Sequence, residues 1–169
     1  MQTFGLEKQN KIEWPRLTDL SRLDLNQTIK LKSISLGCNK NLFEIKLGFT
    51  GMAKSVRLNT NHVVNVDDES AETMKTFDID LTKRIGDFYI NQSELTGEIY
   101  GLRILASTGD YMVNEQWYKP TGGAQSGTTW RHFKIPAGKE IIGLHGSHDG
   151  DYIKSLGLIL WKPNPDSIT

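Results

Sequence analysis

One segment, Glu140 to Trp161, constrains the fold more than any other part of the chain. Its two apolar runs, Glu140–Gly146 and Tyr152–Trp161, read as strands joined by a short polar loop. Ser147 to Asp151 supplies that loop, with aspartate and glycine where a positive φ is easiest. Each strand carries a glycine between apolar neighbours: Gly143 between Ile142 and Leu144, and Gly157 between Leu156 and Leu158. A glycine inside a strand weakens it, so its presence predicts a bulge or a close backbone approach. The second strand is apolar at both parities. Leu156, Leu158 and Leu160 fall on one side, and Ile153, Ile159 and Trp161 on the other. An antiparallel sheet with one solvated face alternates with polar residues instead. The second side therefore has to be covered, by the N-terminal segment or by another chain.

The remainder of the chain is a succession of short strand patterns. Ile29 to Leu36 and Leu42 to Phe49 flank the turn Gly37–Asn41, and Met52 to Leu58 follows. In Thr76 to Leu81, Phe77, Ile79 and Leu81 alternate with Asp78 and Asp80, the pattern of a half-buried strand. Ile85 to Ile90, Glu98 to Ala106 and Thr129 to Ile135 complete the series. Glycine between apolar residues recurs at Gly48 and Gly101, which suggests pseudo-repeated β units. Closely spaced strands with little helix indicate an all-β sandwich, barrel or prism. Residues 1–26 differ: Leu17, Leu20 and Leu23 recur every third position after Pro15. They are expected to form an arm laid on the domain or on a partner, or else an irregular first strand of the domain itself. The domain proper is expected over 27–162, with a tail over 163–169.

At 169 residues the chain is long enough for one domain with a real core. Lysine plus arginine and aspartate plus glutamate are each 20, giving zero net charge. Nucleic-acid partners favour a basic excess, so none is expected, whereas zero charge lowers the barrier to self-association. The single cysteine, Cys38, rules out an intrachain disulfide and is expected to be a free thiol. No run approaches the ~18 apolar residues of a membrane span, so no membrane insertion is expected. The N-terminus shows no signal-peptide pattern, and a cytoplasmic location is the expectation. Asn26-Gln27-Thr28 and Asn91-Gln92-Ser93 fit the glycosylation pattern only as chance matches.

The run Gly143-Leu144-His145-Gly146 followed by Gly150-Asp151-Tyr152-Ile153-Lys154-Ser155-Leu156-Gly157-Leu158 resembles the last hairpin of the jacalin-related lectins. Phe133 to Pro136 with Lys139 to Gly143 is similar to the segment that precedes it in that family. The resemblance extends more weakly over roughly Thr28 to Lys162. It implies a β-prism of three four-stranded sheets around a pseudo-threefold axis. It also implies a sugar site on the hairpin loop: Ser147, His148, Asp149, Gly150, Asp151, Tyr152 and Lys154. Two departures stand out. Lys154 occupies the place of the aspartate that ends the family's G-x-x-x-D motif, replacing a two-oxygen acceptor with a pure donor. The glycine pair that faces this loop in the family does not precede the first hairpin. Simple mannose or galactose is therefore expected to bind weakly or not at all, and Lys154→Asp to strengthen any weak site.

Other chemistries find less support. His145 and His148 with Asp149 and Asp151 supply too few ligands for zinc, so no metal and no cofactor is expected. Gly122 to Thr129 mimics a phosphate loop, but Thr128 stands where lysine must be. No nucleophile–base grouping can be assigned, and the chain is not expected to be an enzyme. The sequence reads as a non-catalytic, jacalin-like binding module. Its first reading is a structural or adaptor protein that docks a protein partner or assembly through Trp14, Leu17, Leu20, Ile153, Ile159 and Trp161. The alternative is a lectin with an altered site on the 147–152 loop.

Overall fold

The computed structural model describes residues 10–15, 29–38, 40–52, 55–59, 63–66, 75–119 and 127–162. Within them lie twelve strands and no helix: β1 (Asn10–Trp14), β2 (Leu31–Cys38), β3 (Leu42–Phe49), β4 (Ser55–Asn59), β5 (Val63–Val66), β6 (Lys75–Asp78), β7 (Ile85–Ser93), β8 (Ile99–Ala106), β9 (Tyr111–Gln116), β10 (Thr128–Lys134), β11 (Glu140–His148) and β12 (Ile153–Trp161). They form three antiparallel sheets, ordered β5-β4-β3-β2-β6, β10-β7-β8-β9 and β1-β11-β12. The fold is the all-β prism, with its strands shared out as five, four and three instead of four each. Two sheets contain the same winding, in which a fourth strand returns beside the first: β10-β7-β8-β9 and β6-β2-β3-β4. In the third sheet that returning position is filled by β1, from the other end of the chain.

Alternation along the strands sends one set of side chains inward. Ile34, Leu36, Ile45, Leu47 and Phe49 from the first sheet meet Phe88, Ile90, Leu102 and Ile104 from the second and Leu144 and Ile153 from the third in one cluster. Each such side chain, fully removed from water, contributes roughly 1.5–3 kcal/mol. Trp14 belongs to this cluster: it is buried, and its ring lies 5.6 Å from that of Phe49.

Several expectations are corrected here. Of the two expectations for the N-terminal segment, an arm or a first strand of the domain itself, residues 10–14 follow the second: they are a strand paired with β11 from Asn10↔His148 to Trp14↔Leu144. Trp14 is thus a core residue and not a docking residue; Leu17 and Leu20 lie outside the described residues. Ile153, Ile159 and Trp161 do not form one stripe, because a register shift sits between the pairs Ser147↔Ser155 and His148↔Ile153. The extra residue, Lys154, breaks the period of two. Ile153 turns into the core at 0% exposure, while Ile159 and Trp161 stay half-buried against it. The expected strand over 76–81 ends at Asp78, leaving Leu81 exposed. Asn91 is buried, so its glycosylation pattern has no accessible acceptor.

The two glycines of the final hairpin do what a strand glycine is expected to do. A register shift separates Ile141 and Gly143, and a methyl on Gly143 would lie inside the carbonyl oxygen of Trp14. Gly157 lies beneath the His145 imidazole.

Candidate functional site

β11 continues through His148, so the loop is shorter than expected: Asp149 to Tyr152, with Ser147 and His148 in the strand. Asp149 organises it. Its Oδ1 accepts the backbone N–H groups of Asp151 and Tyr152, each at 2.9 Å, while its own N–H donates to the Tyr152 carbonyl at 3.1 Å. This is the side-chain-mimics-backbone turn that aspartate favours. The Gly150 N–H donates to His148 Nδ1 at 3.0 Å, and Gly150 takes a φ of 101°. The Ser147 and Ser155 hydroxyls share a hydrogen bond of 2.7 Å across the strands.

Lys154 decides the electrostatics of this tip. Its Nζ stands 3.4 Å from Asp149 Oδ2 and 3.3 Å from Glu98 Oε1, bridging the hairpin to the β7–β8 turn. Glu98 Oε2 also accepts the Tyr100 hydroxyl at 2.8 Å. Both oxygens of Asp149 are therefore engaged within the protein, and the motif position holds an ammonium. The backbone hydrogen bond from Tyr152 is the main cause that keeps the Asp149 carboxyl below its ordinary range, with Asp151 and Lys154 adding to it. For Glu98, burial opposes ionisation, but hydrogen bonds from Tyr100, Lys154 and Asn41 outweigh it and lower its pKa. Tyr100 moves the other way, up to about 12, through burial first and then its bond to the Glu98 carboxylate.

Two predictions arise from this bridge. Lys154→Asp, expected from the sequence to strengthen a sugar site, would set a third carboxylate beside Asp149 and Glu98. After allowance for solvent screening it is expected to cost roughly 1–2 kcal/mol in urea unfolding. A variant as stable as the parent would reduce the bridge to an idle surface pair. The second prediction concerns pH. Glu98 and Asp149 have lowered folded pKa values, so their contribution is present above the ordinary carboxylate range and is lost as pH falls through the folded values. Tyr100 has a raised one, so its contribution is full below the ordinary tyrosine value of 10.0 and is lost as pH rises through about 12. The thermal midpoint is expected to fall at both ends of the scale, and Glu98→Gln to flatten both limbs. An unchanged profile in that variant would remove Glu98 as their common origin.

Beside the bridge lies a cavity that the sequence did not reveal, of about 430 Å³, lined by Gln92, Ser93, Glu94, Gly97, Thr129 and Arg131. Gln92 is its floor. The Gln92 Nε2 donates to the carbonyls of Gly97 (2.9 Å) and Lys154 (2.6 Å), and its Oε1 accepts from Arg131 Nη1 at 3.3 Å. Thr129 pairs with Gln92 and Arg131 with Ile90 across β10 and β7, so both face the same side as Gln92. The Thr129 hydroxyl donates to Glu94. Gly97, at a φ of 81°, sits where a Cβ would press on the Lys154 carbonyl, which fixes the turn against β12.

The remaining candidates do not assemble. Among the described residues no three or more of histidine, cysteine, aspartate and glutamate converge as metal ligands. Burial raises the Cys38 thiol, which keeps it protonated. No helix among the described residues is long and apolar enough to cross a membrane.

Solved structures with this fold include a prostate-specific WGA16 glycoprotein lectin, at a TM-score of 0.57 and 11% identity over 96% of this chain and 98% of that one. Calystegia sepium agglutinin gives 0.54 and 10% over 90% and 89%. The mannose-binding lectin from Champedak gives 0.50 and 11% over 78% and 82%. No protein-family model and no curated protein sequence matches the chain. At such identities the likeness establishes the fold, a jacalin-like β-prism.

Proposed function

We propose that this chain is a non-catalytic carbohydrate-binding module, a lectin-type prism with an altered site at the end that carries the Asp149–Tyr152 loop. The observation that carries the reading is that a prism shared over nearly its whole length with a lectin keeps a polar hairpin tip ordered by the Asp149 hydrogen bonds. The Lys154 bridge refines it: with Asp149 and Glu98 neutralised internally, the tip offers a simple monosaccharide few unspent acceptors. A glycan screen on the purified protein tests it. Binding to oligosaccharides with negligible affinity for free mannose or galactose is the expected result, and silence across neutral and acidic glycans would remove the reading.

A second reading, an adaptor docked to a protein partner, draws on a different observation. A groove of about 510 Å³ runs between β10 and β12, lined by Phe133, Ile135, Leu156, Leu158 and Leu160. Among the described residues β10 and β12 are each the last strand of their sheet at this groove. Unpaired edges beside apolar side chains favour the addition of a strand. Retention of a defined partner by the parent but not by a Leu158→Glu variant would support it.

A further inference from the structure

We infer that the cavity between the β7–β8 turn and β10 is the ligand site of this prism, and that it takes two linked pyranose rings of a neutral oligosaccharide. The inference rests on the carbohydrate reading above and moves recognition from the hairpin tip to its neighbour. At the tip the polar groups are spent on one another. In the cavity they are held but not spent. Arg131 is anchored through one N–H to Gln92 and has no ion-pair partner among the described residues, so its remaining donors are free to point at a ligand. Glu94 receives the Thr129 hydroxyl on Oε1, which leaves its other oxygen as an acceptor. One guanidinium and one carboxylate lining the same polar cavity match vicinal hydroxyls, which donate to the carboxylate and accept from the guanidinium. Arg131 and Glu94 together leave the lining with no net charge, and this is why the class is neutral.

The site is built in advance. Gln92 is 9% exposed and uses its amide to tie the turn, β12 and Arg131 together, so little has to be ordered on binding. A volume of about 430 Å³ lies within the range of small-ligand sites.

The test is an array of immobilised neutral and acidic glycans probed with the parent chain, Arg131→Met, Glu94→Gln and Asp149→Asn. Arg131 and Glu94 are exposed, so their replacement leaves the core intact. The inference expects binding to neutral glycans by the parent and by D149N, with a loss of about tenfold or more in R131M and E94Q. Binding lost in D149N and kept in R131M and E94Q would place the sugar at the tip, overturning the cavity while leaving the carbohydrate reading intact. Binding confined to acidic glycans would overturn the neutral class. No binding to any glycan would overturn both.

Discussion

Gly143→Ala is expected to lower the free energy of unfolding by about 3 kcal/mol or more, one of the two largest effects of any single change considered. The backbone of Gly143 is not in the left-handed region, so an alanine suffers no conformational strain of its own. The cost is the collision of its methyl with the carbonyl oxygen of Trp14 and with the Pro15 ring. Neither atom belongs to a flexible side chain, so β1 has to move away from β11 or the bulge has to collapse. Gly157→Ala is the control. Its methyl meets the His145 imidazole, and that side chain is exposed and can swing aside. A cost below about 1 kcal/mol is expected there. Urea unfolding of the two variants measures the difference, and equal costs would show that close packing by β1 does not hold in solution.

Trp14→Ala is expected to cost about 3–5 kcal/mol, the range for deleting a large buried aromatic side chain. Trp14 is 4% exposed, against Phe49 and the interior of the prism. An arm laid on a finished domain would yield a smaller loss with an unchanged core. Here the cavity opens where two sheets meet, so loss of near-ultraviolet dichroism is expected together with the lowered stability. Trp14→Phe, which keeps an aromatic ring against Phe49 and most of the volume, should recover a good part. A cost under 1 kcal/mol for the alanine variant would mean that β1 frays in solution.

The legible parts of the fold were those where one strand carries its own pattern. Glu140–Trp161 announced a hairpin because two apolar runs flank an Asp-Gly loop, and Gly143 and Gly157 announced close approaches within it. Strand β9 was not legible, since Tyr111 to Gln116 buries only Val113 and leaves Tyr111 in solvent. Strand β1 was hidden for a related reason: Asn10 to Trp14 is short, and its meaning lies in a partner at the far end of the chain. The phase of Ile153 was misjudged because a rule of strict alternation has no place for the bulge at Lys154. Of the site, the loop residues were legible through the family resemblance, and Lys154 as a departure from it. That Lys154 binds Glu98 was not, because Glu98 lies in the turn between two strands of another sheet. The cavity was least legible of all. Its residues come from 92–97 and 129–131, and the only local signal is a run of polar side chains at positions where β7 and β10 would otherwise face inward.

The pairing of β1 with β11 bears on how such a chain comes off the ribosome. The five-stranded and four-stranded sheets are made of consecutive segments and can assemble as they emerge. The three-stranded sheet cannot, because all the strands of the other two sheets are made between β1 and its partner β11. Ile12 and Trp14 therefore wait, uncovered, while the intervening residues are synthesised, and loop closure over that span is slow. The sheet that bears the hairpin tip is the one that closes at the end, and the waiting strand is what a chaperone would see. Permuting the chain so that β1 follows β12 would bring the partners together at once, and would change the rate of folding far more than the native contacts.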